Sequence, residues 1–162
     1  FSTERLLEKR IAMPGKTAAS DPGGREAHAR LLNTLARAEP QRLKAFAEQL
    51  LRAMGPIEVL QSRTGLVMLP MRDTVKGTAF HLGEVLVAEA HIRAPSGEEG
   101  YGMVVGRDLD RAMAMAVVDL AAATGCPPAA AAFVEREAER LAAKDREILR
   151  AIEATRVTME TF

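Results

Sequence analysis

Apolar residues recur along this chain first with the period of a helix, then with that of a strand, then with that of a helix again. Leu31, Leu32 and Leu35 mark a short helix that ends near Glu39-Pro40. Pro40 suits the first turn of the next helix, because its fixed φ is already helical. There Leu43, Phe46, Ala47, Leu50, Leu51 and Met54 fall at the i, i+3, i+4, i+7, i+8, i+11 spacing of one buried face. Gly55-Pro56 stops it, and the two helices are expected to pair as a hairpin.

The middle of the chain changes period. Ile57–Gln61 and Leu66–Met71 are short apolar runs, and Ser62-Arg63-Thr64-Gly65 between them predicts a β-turn. Pro70 cannot donate to a ladder, which predicts an edge strand there. A longer strand is expected from Leu82 to Arg93. It carries Leu86, Ala88, Ala90 and Ile92 on one face and Val85, Val87, Glu89, His91 and Arg93 on the other. Residues 95–100 form a loop, and Tyr101–Val105 returns as a further strand. The pattern gives an antiparallel meander of about four strands.

Gly106-Arg107-Asp108 closes the sheet and opens a helix, with Asp108 as N-cap. Leu109, Ala112, Met113, Ala116, Val117 and Leu120 form its apolar face, and Gly125 ends it. After Pro127-Pro128 comes the longest helix, about 129–154, with a stripe of Val134, Ala138, Leu141, Ile148 and Ile152 among many charges. Two helices before the sheet and two after it define an α+β domain over residues 26–162. Pro14, Gly15, Ser20, Pro22, Gly23 and Gly24 break any pattern in residues 1–25. That segment reads as a flexible tail or non-native extension, with a short helix from Thr3 to Ile11.

Charge and composition narrow the function. Lys plus Arg equals Asp plus Glu, 22 of each, so no net charge draws the chain to nucleic acid or an anionic membrane. Cys126 is the one cysteine, which excludes an intrachain disulfide and a cysteine-held cluster. A reducing, cytoplasmic setting is expected. No apolar run approaches the roughly 20 residues of a membrane span, and Phe1–Arg10 lacks the apolar stretch of a signal peptide.

Candidate chemistry is sparse. His28, His81 and His91 show no i, i+4 pairing, and no H-x-E or HExxH motif is present, so no metal site is expected. His91, beside Glu89 and Arg93 on the polar strand face, reads as a hydrogen-bonded surface histidine. Gly100 and Gly102 sit within a strand instead of at a strand-to-helix turn, which favours close approach by another backbone over a nucleotide loop. Gly106-Arg107-Asp108 places free N–H groups and an arginine at a helix start, where an anion could bind. Arg107 and Arg93 are the candidate anion-binding residues. No nucleophile–base pair follows from spacing, and no catalytic residue is assigned.

Four stretches in order resemble the PhnG family. They are Leu31–Ala38; Thr64–Met68 with Arg72, Gly77, Phe80 and Gly83-Glu84-Val85; Gly100-Tyr101 with Val105–Asp108, Ala112, Ala116 and Asp119; and Ala154–Val157, which includes Arg156. Two departures stand out: many family members carry Trp where Leu31 stands, and the residues after Val157 differ. The resemblance implies a non-autonomous subunit of the carbon–phosphorus lyase complex in phosphonate catabolism, not catalytic alone. Its implied partners are PhnH-, PhnI- and PhnJ-type subunits and an ATPase-like subunit. Together the PhnG, PhnH and PhnI types with the ATPase-like partner would support displacement of adenine from MgATP by an alkylphosphonate, giving ribose 1-alkylphosphonate 5-triphosphate. MgATP would be a substrate of the complex, with no cofactor held by this chain. Two other readings of the sequence are a small homodimeric ligand-binding module and a self-contained nucleotide-processing enzyme.

Overall fold

The computed structural model describes residues 22–125 and 128–156. Its elements run α1 (Pro22–Arg37), α2 (Pro40–Met54), β1 (Glu58–Arg72), β2 (Ala79–Arg93), β3 (Glu99–Val105), α3 (Leu109–Ala123) and α4 (Pro128–Ala154). The strands pair antiparallel in the order β1-β2-β3. This is the α+β architecture expected, with three strands in place of about four. Cys126, the helix expected over 3–11 and the residues from Val157 onward lie outside the described residues. No described helix is long and apolar enough to cross a membrane.

The strand count differs at a single place. The turn expected at Ser62–Gly65 is absent: β1 runs straight through it, with Ser62 opposite Ala90 and Gly65 opposite Val87. Cross-strand side chains hold this stretch extended, since Gln61 and Arg63 both donate to Glu89 of β2. The real reversal is at Asp73–Thr78. There the Asp73 carboxylate accepts from the amides of Val75 and Lys76, and Gly77 takes a φ of +67°. Pro70 does lie on an edge strand, at a register shift between Leu69 and Pro70.

The core forms around α3. One sheet face presents Ala88, Ala90, Ile92 and Val104 to it, and all are buried. Its opposite sides meet α2, α1 and α4, so even residues off its main stripe, such as Met115 and Val118, are buried. The strand–helix approach depends on two missing side chains. A Cβ at Gly100 would lie 2.3 Å from the carbonyl oxygen of Ala116, and one at Gly102 would lie 2.0 Å from that of Ala112. Close approach by another backbone, the reading favoured for these glycines, is what the structure shows.

Two expectations about helices need correction. α1 begins at Pro22, so residues 22–25 belong to the helix and not to a tail. The α1–α2 hairpin does not form: α1 packs on α4, α3 and β3, while α2 packs on α3. The bend at Ala38-Glu39 separates the two, and Glu39 caps α2 by accepting from the amides of Gln41 and Arg42. α4 is seated by its first half. Phe133 stacks on Phe46 with ring centroids 4.3 Å apart, and Glu137, 2% exposed, accepts from Arg42 at 2.8 Å. Further along, Ile148, Leu149 and Ile152 are exposed.

Candidate functional site

The richest chemistry lies on the sheet face turned away from α3. Strand alternation puts Glu89, His91 and Arg93 of β2 on that face, and the β2–β3 register sets Met103, Tyr101 and Glu99 opposite them. Two carboxylates organise the patch. Glu89 accepts from Arg63 (3.0 Å), Gln61 (3.1 Å) and the Tyr101 hydroxyl (3.1 Å). Glu99 accepts from Arg93 (2.7 Å) and meets His91 Nε2 at 2.9 Å. Arg93 also reaches Glu58 at 3.7 Å.

These pairings shift the titration of Glu89, Glu99, Tyr101 and Arg93. Hydrogen bonding to Arg63 holds the Glu89 carboxyl below its ordinary value, and Arg93 followed by His91 does the same for Glu99. Burial first, then the neighbouring Glu89, pushes the Tyr101 phenol up to about 12. Glu99 in turn makes Arg93 harder to deprotonate. The donors and acceptors of the patch are spent on one another. His91 is the hydrogen-bonded surface histidine expected, and Arg93 is already neutralised by carboxylates.

The β3–α3 junction holds the other candidate. Gly106 donates to the Leu86 carbonyl, and Asp108 caps α3 by accepting from the Arg111 amide. Lys44 pairs with Asp108 at 2.9 Å and is the main cause of that carboxyl's lowered pKa. The helix start therefore already holds a carboxylate where an external anion would sit. The Arg107 side chain is exposed, with no ion pair or hydrogen bond among the described residues. Arg107 and Arg93 do not share a site. Arg107 follows Val105, which pairs with Val87, whereas Arg93 pairs with Glu99 at the far end of β3. At about 3.3 Å per residue those ends are roughly 20 Å apart.

The remaining motif positions divide between scaffold and surface. Asp119, 4% exposed, joins three elements: it accepts from the Tyr101 amide at 2.9 Å and meets His28 Nε2 at 2.7 Å. It thereby satisfies an outward-facing amide of edge strand β3. Among the described residues the Arg156 side chain, just past α4, makes an exposed contact with Glu153. Gly83 and Glu84 lie on the outer part of the β1–β2 hairpin, as does His81. That part extends beyond the cover of α3 as an arm. Its apolar side chains are open to solvent, among them Leu66 (62% exposed), Leu82 (61%) and Val75 (86%). Among the described residues no cluster of His, Cys, Asp and Glu could hold a metal ion.

Sequence reasoning missed Glu137, Arg111 and the carboxylate hubs. Glu137 was visible as a charge four residues after Phe133, on the buried face of α4. The Glu89 hub required a β1–β2 register that the misplaced turn obscured, and Glu99 was read as part of the loop over 95–100.

A family model described as phosphonate metabolism protein PhnG matches residues 26–162. The chain belongs to the PhnG family. The match contains the polar sheet face, the Asp108 cap, the Asp119 clamp and the arm. Among curated relatives, the chain is similar to the alpha-D-ribose 1-methylphosphonate 5-triphosphate synthase subunit PhnG of Rhizobium meliloti (strain 1021). That alignment is 37% identical over 100 residues, covering 61% of this chain and 64% of the relative. It is also similar to the putative C-P lyase subunit protein HtxH of Stutzerimonas stutzeri, 32% identical over 106 residues, covering 58% of this chain and 28% of that protein.

Proposed function

We propose that this PhnG-family chain is a non-autonomous subunit of a carbon–phosphorus lyase assembly in phosphonate catabolism. In this reading it supports displacement of adenine from MgATP by an alkylphosphonate, giving ribose 1-alkylphosphonate 5-triphosphate. It works beside PhnH-, PhnI- and PhnJ-type subunits and an ATPase-like subunit. The observation that carries the reading is the β1–β2 arm, a two-stranded ribbon with solvent-exposed apolar side chains. A two-stranded ribbon is marginal alone in water, and a contiguous exposed apolar surface marks a place where another protein packs. The exposed Ile148, Leu149 and Ile152 of α4 offer a second such surface.

The chemistry requires attack of a phosphonate oxygen on the anomeric carbon while adenine departs. A polyphosphate clamp, stabilisation of ribosyl positive charge and a proton for the leaving base are needed. The two carboxylate hubs here already hold their donors, so this chain's part is to order the assembly, with the reacting groups supplied by partners. The test is adenine release from MgATP and methylphosphonate by the reconstituted subunits. Leaving out this chain alone should abolish release. Undiminished release without it, or release by this chain by itself, contradicts the proposal.

A further inference from the structure

The molecule has a second charged site, away from the polar sheet face and independent of the arm. Arg37 of α1, the Ala38-Glu39 bend, Arg111 of α3, and Arg140 and Lys144 of α4 line one cavity of about 650 Å³. We propose that this cavity binds an oxyanion of the phosphate class.

Several charges around the cavity are already answered. Arg37 is paired with Asp145 at 2.8 Å. Glu137 is shared by Arg42 and Arg140, the latter at 3.3 Å, so two cations divide one carboxylate. Glu39 is spent on the first amides of α2. Arg111 makes no ion pair among the described residues, although its charge acts on the Asp108 carboxylate; one of its terminal nitrogens donates to the carbonyls of Ala36 (2.6 Å) and Ala38 (3.1 Å). Its Nε is buried with no acceptor among the described residues. Lys144 has no partner among the described residues, and Glu147 completes the lining as an unpaired carboxylate. Counting Arg42 and Asp145, five cations (Arg37, Arg42, Arg111, Arg140, Lys144) face four carboxylates (Glu39, Glu137, Asp145, Glu147). Of these cations, Arg111 and Lys144 make no ion pair among the described residues.

A buried N–H without an acceptor is costly, and a guanidinium whose hydrogen bonds go to carbonyls still carries its charge. Arg111 lines the cavity, and an oxyanion bound there would supply the missing acceptor. Arg140 and Lys144, one helical turn apart on α4, close over it. The Arg111 fork and the Lys144 point charge, with Arg140 beside them, suit a tetrahedral, multiply charged oxyanion better than a single carboxylate. The cavity has room for more than one phosphoryl group.

The test uses the full chain with inorganic phosphate and with tripolyphosphate as probes. Calorimetry reads affinity, and the arginine Nε–H spectrum reads the site. The expected result is saturable binding that moves the Arg111 Nε–H resonance. Lys144→Met and Arg140→Gln, both at exposed positions, should each weaken binding about tenfold, while Arg107→Gln leaves it unchanged. No binding of either probe overturns the proposal. So does binding that Lys144→Met and Arg140→Gln leave intact, or that Arg107→Gln removes. None of these outcomes depends on the assembly, so the site and the subunit role fail or stand separately.

Discussion

Tyr101 is the one tyrosine of the chain, so its ionisation can be followed directly by ultraviolet titration. Its phenol is half-buried and donates to Glu89, and its pKa rises from 10.0 to about 12. A raised folded value means that the neutral phenol stabilises the fold at neutral pH. That contribution is complete below the unfolded value near 10 and is lost as pH rises toward 12. Titration of the native chain should show this shift, and Glu89→Gln should return it part of the way, since burial remains the larger cause. A tyrosine titrating at its ordinary value contradicts the geometry of the patch. Glu89 acts in the opposite direction. Its depressed pKa stabilises the fold above 4.5, and that contribution disappears as the solution is acidified below it. Gly102 gives a sharper test of packing. Gly102→Ala places a methyl 2.0 Å from a backbone oxygen of α3, and should cost about 1–3 kcal/mol in chemical unfolding. Gly65→Ala, with open space around it, should cost far less. The packing role of the paired glycines was legible in sequence, because strand glycines flanked by apolar residues imply close approach. Arg111 was not, since its partners are carbonyls at the α1–α2 bend.

At the scale of elements, several boundaries followed strong punctuation, although Gly23 and Gly24 lie inside α1. Glu39-Pro40 opens α2, Gly55 closes it, and Asp108 caps α3 as expected. The failure at Ser62–Gly65 has a physical cause. Serine, threonine and glycine permit a turn, but Arg63 and Gln61 gain a cross-strand carboxylate only if the strand continues. Asp73–Gly77 was the better signal, because an Asx carboxylate can satisfy two amides and a glycine can take positive φ. The missing α1–α2 hairpin is a question of partner choice, and helical periodicity says nothing of which neighbour a face will meet. Moving the turn makes the hairpin longer, and it is this extra length that leaves the arm uncovered. The paired substitution Leu66→Ser and Leu82→Ser should change the stability of the free chain by less than about 0.5 kcal/mol. The same change should weaken capture of the partner subunit by about tenfold or more, if the arm is the docking surface. Loss of stability with intact capture would place the apolar side chains in this chain's own core instead.

The whole molecule is a well-packed half and an open half. α3 is wrapped by the sheet, α2, α1 and α4, while the arm and the far end of α4 carry apolar groups into solvent. Sequence established the fold class and, through the ordered PhnG motifs, the family. The exposed surface became visible only when the register was known. The central claim is that this chain works as one part of a larger assembly. Its most direct test is native mass spectrometry of the tagged chain, co-expressed with the PhnH-, PhnI- and PhnJ-type subunits proposed as its partners. A stoichiometric complex that includes the PhnI-type subunit is the predicted result. A discrete particle of this chain alone, with every neighbour washed away, would contradict the account.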